Sequence, residues 1–304
     1  MFASIDAVLQ ALEGGRYIGD RALATVLYLG GALGKPILLE GEAGVGKTEV
    51  AKVAAHALGA RLIRLQCYEG LDANAALYEW NYPKQMLRIK LEEGRGGSRE
   101  EIEKNIFSEE FLNHRPLLEA IIADDPKPPV LLIDEVDRAD EEFEAFLLEV
   151  LSDFQITIPE LGTLKARRRP LVILTSNRTR EINDALKRRC LFHWIDYPTY
   201  EKEVRIVAAR LPGVAEALAR QVAAVMQTMR QKQLFKRPGI AETLDWAAAL
   251  MALEQQALEP VTVDATLGCI LKHREDVDRV RAEGVEAILQ QAARAFPAGP
   301  LSRA

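Results

Sequence analysis

The sequence predicts an α/β domain on a parallel sheet, followed by a smaller helical domain. Three observations predict it. The apolar runs at 36–40 (Pro-Ile-Leu-Leu-Glu), 130–135 (Val-Leu-Leu-Ile-Asp-Glu) and 171–177 (Leu-Val-Ile-Leu-Thr-Ser-Asn) are continuous, as strands buried on both faces require. Segments of helical period separate them. From about Pro198 such runs stop, and the chain turns rich in Ala, Leu, Glu and Arg with a helical repeat. The expected division is 1–197 for the α/β domain, with an insertion at about 67–113 and a hairpin at about 155–166, and 198–304 for the helical domain.

The first stretch reads as a helix, a turn at Gly14 and Gly15, and a second helix over 20–33, with Asp20 as N-cap and Gly34 as C-cap. The strand at 36–40 enters a glycine-rich loop. A helix over 48–58 follows, with Val50, Val53, Ala54, Ala57 and Leu58 on one face until Gly59 stops it. A second strand is expected over 61–66. Within the insertion, Leu87, Ile89 and Leu91 alternate with Arg88 and Lys90, which predicts an exposed two-faced strand or hairpin, and 92–99 reads as a flexible loop.

Residues 124–129 form a proline-rich turn before the strand at 130–135. A helix begins near Asp140 with acids in its first turn, and Phe143, Phe146, Leu147, Val150, Leu151 and Phe154 give it one apolar face. Residues 155–165 predict a β-hairpin. Arg167, Arg168 and Arg169 precede the strand at 171–177, and 181–187 is again helical. The tail at 296–300 is expected to fray.

Composition bounds the function. Of 304 residues, 48% are apolar and 28% charged, ordinary for a globular protein, and no apolar run is long enough to span a bilayer. The first ten residues carry no basic region ahead of their apolar ones, which speaks against a secretory signal. Cys67, Cys190 and Cys269 are far apart and odd in number, so neither a disulfide framework nor a zinc site is suggested. A reducing cytoplasm is the expected location. The net charge of −6 argues against a protein that coats nucleic acid, although a local basic patch remains compatible with it.

The chemistry is concentrated in Gly41, Glu42, Ala43, Gly44, Val45, Gly46, Lys47 and Thr48, a Walker A phosphate-binding loop with Glu49 just inside the helix that follows. Glycines let successive N–H groups face an anion, and the helix N-terminus adds its dipole. Lys47 is expected to reach the β- and γ-phosphates of ATP, and the Thr48 hydroxyl to ligate Mg²⁺. Asp134 ends a buried strand and is the expected Walker B carboxylate for Mg²⁺. Glu135, directly after it, is placed to polarise a water for attack on the γ-phosphate, which favours hydrolysis over transfer to a hydroxyl. The plain alternative for these acids is a solvated loop.

Asn177 closes the next strand, where its amide can hold that water or simply bond a turn. Arg188 and Arg189 follow a helical segment. They either stabilise transition-state charge on a neighbouring subunit's nucleotide or complement a helix dipole. Gln66 ends the second strand, where it can pair with Glu135 and restrain it or bond backbone.

Taken in order, Gly-Glu-Ala-Gly-Val-Gly-Lys-Thr at 41–48, Leu-Leu-Ile-Asp-Glu at 131–135, Thr-Ser-Asn at 175–177 and Leu-Lys-Arg-Arg at 186–189 resemble an AAA+ ATPase. The hairpin resembles the pre-sensor insertion of the MoxR branch. Residues 65–72 (Leu-Gln-Cys-Tyr-Glu-Gly-Leu-Asp), 76–82 (Ala-Leu-Tyr-Glu-Trp-Asn-Tyr) and 237–246 (Arg-Pro-Gly-Ile-Ala-Glu-Thr-Leu-Asp-Trp) are similar to its CoxD-type subgroup. The resemblance implies a P-loop NTPase domain with a helical lid, working as a homo-oligomeric ring, usually a hexamer. It assigns Lys47 and Thr48 to Walker A, Asp134 and Glu135 to Walker B, Asn177 to sensor 1, and Arg188 or Arg189 to the finger. It further implies a remodelling chaperone acting on a protein client, a partner with a von Willebrand factor A domain, and a role in maturing a molybdenum-containing CO dehydrogenase.

One departure stands out. The position where many lids carry an arginine, sensor 2, is Glu242. Either Lys236 or Arg237 substitutes from the preceding loop or the lid senses nucleotide weakly, and Glu242 is expected to point away from the γ-phosphate. Two other function classes compete. A nucleic-acid-dependent ATPase motor would use Arg167 to Arg169, Arg178 and Arg180, but lacks interleaved aromatics for stacking. A nucleotide-gated scaffold with little hydrolysis would need neither Glu135 nor Asn177.

Overall fold

The structure, a computed structural model, describes residues 1–94 and 106–297. The expectations for residues 95–99 of the insertion loop and for 298–300 of the tail lie outside the described residues. The chain divides into two compact units, one of 1–11, 20–40 and 50–194, the other of 12–19, 41–49 and 195–304.

The first unit is built on a sheet of five parallel strands in the order β2-β5-β8-β1-β9. These are β1 (Ile37–Glu40), β2 (Leu62–Gln66), β5 (Val130–Asp134), β8 (Leu171–Ser176) and β9 (Leu191–Trp194). Every residue of β1, β5 and β8 is buried, which is why those runs do not alternate. The edge strand β2 does alternate: Ile63 and Leu65 face the core while Arg64 and Gln66 stay exposed. Register places Gln66 opposite Asp134, so both lie at the carboxyl edge of the sheet.

The helix Arg21–Leu33 packs on β1, β8 and β9, with Asp20 accepting from the Leu23 amide and Gly34 closing it in the left-handed conformation. The helix Glu141–Asp153 is capped by Asp140, and Phe143, Leu147, Val150 and Leu151 are buried on its apolar face. The hairpin forms as β6 (Gln155–Ile158) and β7 (Gly162–Lys165). Arg188 and Arg189 form the last turn of the helix Asp184–Arg189.

The insertion corrects one expectation. Residues 87–91 are not a strand but part of the helix Tyr82–Glu93, which also takes in Glu92 and Glu93. Asn81 caps it by accepting from the Lys84 amide, and Pro83 sits in the first turn, where its missing N–H costs nothing. The real extended pair there is β3 (Tyr78–Trp80) with β4 (Leu112–His114), antiparallel and three residues long. Trp80 is buried and meets Tyr78 and Phe107 edge-on, whereas Tyr82 is exposed.

In the second unit, six helices between Tyr200 and Ala295 enclose a core around Trp246, Met226, Val222 and Leu267. An ion pair lies inside it. Arg230 donates to both carboxylate oxygens of Glu203 at 2.6 and 2.7 Å, and its Nε donates to the Pro238 carbonyl at 2.8 Å. Thr243 donates to the same carboxylate at 2.6 Å, so this buried charge is fully engaged.

Candidate functional site

The glycine loop leaves the carboxyl end of β1. Gly44 has φ +78, and a side chain at Gly41 would bring a Cβ within 2.2 Å of the Ile195 carbonyl oxygen, so both positions exclude other residues. Lys47 is buried and its ammonium donates to the carbonyls of Gly41 and Glu42, each at 2.7 Å. The lysine is thereby folded back onto its own loop. Thr48 lies in the first turn of the helix Lys47–Leu58, and Glu49 pairs with Arg210 at 2.7 Å.

The same loop is bonded to a helix N-terminus. The amides of Ile240 and Ala241 donate to the Gly44 carbonyl at 2.9 and 3.2 Å. Glu242 accepts from the Gly239 amide at 2.9 Å as the cap of its own helix, Ile240–Ala252, with its carboxylate beside Gly44. Lys236 and Arg237 line a cavity of about 260 Å³ together with Glu42, Ala43, Tyr197 and Phe235. Burial, reinforced by Glu42, raises the Tyr197 hydroxyl above its ordinary pKa, with Arg230 and Arg237 opposing.

The carboxylates occupy the sheet edge of the first unit. The Thr175 hydroxyl donates to Asp134 Oδ1 at 2.6 Å and accepts from the Glu135 amide at 2.9 Å, which fixes the turn out of β5. Glu135 has φ +56, a left-handed conformation uncommon for a side chain of this kind. Its two oxygens are held separately: Asn177 Nδ2 donates to Oε1 at 3.2 Å and Gln66 Nε2 donates to Oε2 at 3.1 Å. Arg138 lies 3.5 Å from the latter oxygen.

Asp134 Oδ2 accepts from Arg64 Nε and Nη2 at 3.0 and 2.6 Å. Asp137, also buried, accepts from the Thr179 amide and hydroxyl at 2.8 and 2.7 Å, tying the strand ends together. A cavity of about 510 Å³ opens here, lined by Glu69, Glu135, Asp137, Arg138, Asn177 and Arg180. Cys67 is buried below, its thiol pushed up to about 12 by burial and by Asp134, Asp137 and Glu135.

Asp134, Glu135 and Asn177 lie together, and Gln66 meets both of its alternatives, its amide donating to Glu135 at 3.1 Å and to the Cys67 backbone carbonyl at 3.3 Å. Arg188 and Arg189 are exposed and stand apart from this cluster in their contacts. Arg189 donates to the Leu148 carbonyl at 3.4 Å, while Arg188 makes no hydrogen bond or ion pair among the described residues. Two members were missed. Thr175 is visible in the sequence as a polar end to an apolar strand. Arg64 is signalled only by a charge inside the second strand, and its contact with Asp134 spans 70 positions.

No group of His, Cys, Asp and Glu among the described residues forms a protein-only metal cage. Mg²⁺ needs none, because it keeps waters and takes one or two protein oxygens plus phosphate. A buried carboxylate at a strand end, as at Asp134, has the donor chemistry such an ion takes, and so by itself does a hydroxyl after a phosphate loop, as at Thr48.

Residues 36–190 match the AAA domain model of the dynein-related subfamily, just over half the chain. The chain belongs to this AAA family. The AAA member is therefore a nucleotide-binding ATPase at the general level, on a P-loop NTPase fold. No curated protein matches the sequence.

Among solved structures, the AAA chain is similar to a protein of Cytophaga hutchinsonii whose own assignment as an ATPase is provisional. That pair shares 15% identity at a TM-score of 0.49, over 95% of this chain and 94% of the other. It is similar also to the RuvB Holliday junction branch migration motor of Thermotoga maritima, at 16% identity and a TM-score of 0.44, over 93% of this chain and 68% of that one. At these scores the likenesses say nothing of substrate. No helix among the described residues is long and apolar enough to cross a membrane.

Proposed function

We propose that this AAA protein hydrolyses ATP to remodel a protein client, with Glu135 as the group that activates water. The observation that carries the reading is the suspension of the Glu135 carboxylate between the amides of Gln66 and Asn177, one residue beyond Asp134. A carboxylate that merely faced solvent would not be given two directed donors. In this reading the loop amides and Lys47 take the phosphates, Glu49 steadies the start of the loop's helix, and Asp134 and Thr48 hold Mg²⁺. Bound Mg²⁺ supplies charge neutralisation at the β- and γ-phosphate oxygens.

Glu135 takes the proton of the attacking water, and Asn177 orients that water or the γ-phosphate. Gln66 keeps Glu135 from acting until it is drawn away. Arg188 is the better candidate for a finger acting on a neighbouring subunit, because it is exposed and uncommitted whereas Arg189 already bonds its own chain. Lys236 and Arg237 stand beside Glu42 and Ala43, which supports one of them serving where Glu242 replaces the usual lid arginine.

The arginines that would support a nucleic-acid motor have partners on their own chain, although Arg167, Arg168 and Arg169 stay exposed. Arg167 pairs with Asp124 at 3.2 Å, Arg168 bonds the Pro126 carbonyl, and Arg169 stacks over Phe154 at 5.3 Å. Arg178 lies over Trp194 at 5.6 Å, and Arg180 bonds Glu144 and the Ala139 carbonyl. The finer reading, a cytoplasmic MoxR-type ring of CoxD character with a von Willebrand factor A partner and a molybdenum enzyme as client, rests on the sequence resemblance.

The test is turnover per protomer across a protein concentration series. A shared site predicts specific activity that rises cooperatively. It also predicts that Arg188→Ala subunits lower turnover by about tenfold or more when they dominate a mixture. Specific activity that is flat with concentration and indifferent to Arg188→Ala would contradict the ring.

A further inference from the structure

Strand β2 sends Arg64 and Gln66 to the same face, two residues apart, where β5 ends. Arg64 donates through Nε and Nη2 to Asp134 Oδ2 at 3.0 and 2.6 Å, and the same Nη2 donates to Gln66 Oε1 at 2.5 Å. The other end of that amide donates to Glu135 Oε2 at 3.1 Å. Four side chains therefore form one directed chain: Asp134, Arg64, Gln66, Glu135. Its links are oriented. The guanidinium can only donate, so it fixes the Gln66 carbonyl oxygen toward itself and turns the amide NH₂ toward Glu135.

The two carboxylates are thus coupled although they make no contact with each other. Of the pair at the head of the chain, Asp134 is 3% exposed at its side chain and held by Thr175, whereas Arg64 is 50% exposed. The acid is fixed and the arginine is the movable member. A divalent cation and a guanidinium compete for the same oxygen, since two cations within a few ångströms of it repel each other.

We infer that Arg64 is a resident competitor for the cation at Asp134 and that its displacement frees Glu135 through Gln66. This rests on the ATPase reading above. Without cation, Arg64 neutralises Asp134, orients Gln66, and Gln66 clamps Glu135. Once cation takes Asp134, Arg64 swings to solvent, Gln66 loses the donor to its carbonyl oxygen and keeps only the Cys67 carbonyl as a second hold, and Glu135 is left with Asn177 and Arg138. Arming of the base is thereby made to follow loading of the metal. A static role, in which Arg64 only balances a buried charge, predicts no such order.

The experiment is binding of a fluorescent ATP analogue to the full-length protein, titrated with Mg²⁺ from an EDTA baseline. Wild type, Arg64→Gln and Arg64→Lys are compared after thermal melts establish that each is folded. Arg64→Gln should lower the half-saturating Mg²⁺ by about fivefold, the scale of one charge-assisted hydrogen-bonded pair. Arg64→Lys, which keeps the charge but cannot fork between Asp134 and Gln66, should fall between. An Arg64→Gln midpoint equal to wild type, with Mg²⁺-dependent binding intact, overturns the competitor and leaves the ATPase reading standing. Wild-type binding indifferent to Mg²⁺ overturns that reading itself.

The relay is tested separately through the same Mg²⁺ midpoint. Gln66→Ala removes the second acceptor that holds Arg64 in place, so it should lower the half-saturating Mg²⁺ in the wild-type background and add nothing in Arg64→Gln. Fully additive effects would remove Gln66 from the chain.

Discussion

At the residue scale, the site depends on side chains held by more than one partner. Thr175 is the clearest case, because its hydroxyl serves Asp134 and the Glu135 backbone at once. Thr175→Val keeps the shape, leaves the Glu135 amide without its acceptor and takes one donor from Asp134, which keeps Arg64. It should cost about 1–3 kcal/mol of stability and lower turnover by about tenfold or more, the cost of a misplaced catalytic group, as read by denaturant unfolding and steady-state ATPase. Cys67 makes a prediction of opposite kind. Its pKa of about 12 lies far above neutrality, so at pH 7–8 the thiol is protonated and inert. Alkylation of the folded protein, followed by mass spectrometry, should leave Cys67 unmodified at pH 8. Rapid labelling there, at the rate of an exposed thiol, would show that the edge of β2 is open.

At the scale of elements, the contact between the helix Ile240–Ala252 and the phosphate loop carries the most weight. A Cβ at Gly239 would stand 2.8 Å from the Ala43 carbonyl oxygen and 3.0 Å from Gly44 Cα, both backbone atoms that cannot turn aside. Gly239→Ala should therefore displace the helix from the loop and weaken nucleotide binding by about tenfold, a loss of roughly 1.4 kcal/mol. Titration with a fluorescent nucleotide checks this, and unchanged affinity would mean that the contact is incidental. Glu242 belongs to the same element. Its carboxylate caps the helix, so an acid at this position has a structural use that a sensor arginine would not fill.

Elements also show where sequence reading succeeds and fails. Asp20, Gly34 and Asp140 were readable because a cap is a local event within one turn of chain. Strands β1, β5 and β8 were readable because burial on both faces leaves an unbroken apolar run. The helix Tyr82–Glu93 was missed because Leu87, Ile89 and Leu91 mimic a strand's period. Leu87 and Leu91 are in fact exposed at i and i+4, while the polar Gln85 is the buried one, donating to the Ile106 carbonyl at 2.7 Å. The start of that helix is set instead by Asn81 as N-cap and Pro83 in the first turn. The strands β3 and β4 carry three residues each and pair across a long insertion, which no local pattern encodes. The contact of Arg64 with Asp134 was hidden for the same reason.

At the scale of the whole molecule, the five-stranded sheet delivers Gln66, Asp134, Glu135 and Asn177 to one carboxyl edge, and the phosphate loop continues directly from another strand of that sheet. Membership in the AAA family gives the chain its general activity. The specific account is that Glu135 activates water while Lys47 and its loop bind nucleotide.

The most direct test is Glu135→Gln measured for binding and turnover in parallel. Glutamine preserves size and can still bond in the same place, but it cannot take a proton. The account predicts nucleotide affinity within about twofold of wild type and turnover reduced by about a hundredfold or more, the scale of general-base loss. Turnover close to wild type in Glu135→Gln would contradict it, and the base would have to be sought among the other acids of the cavity.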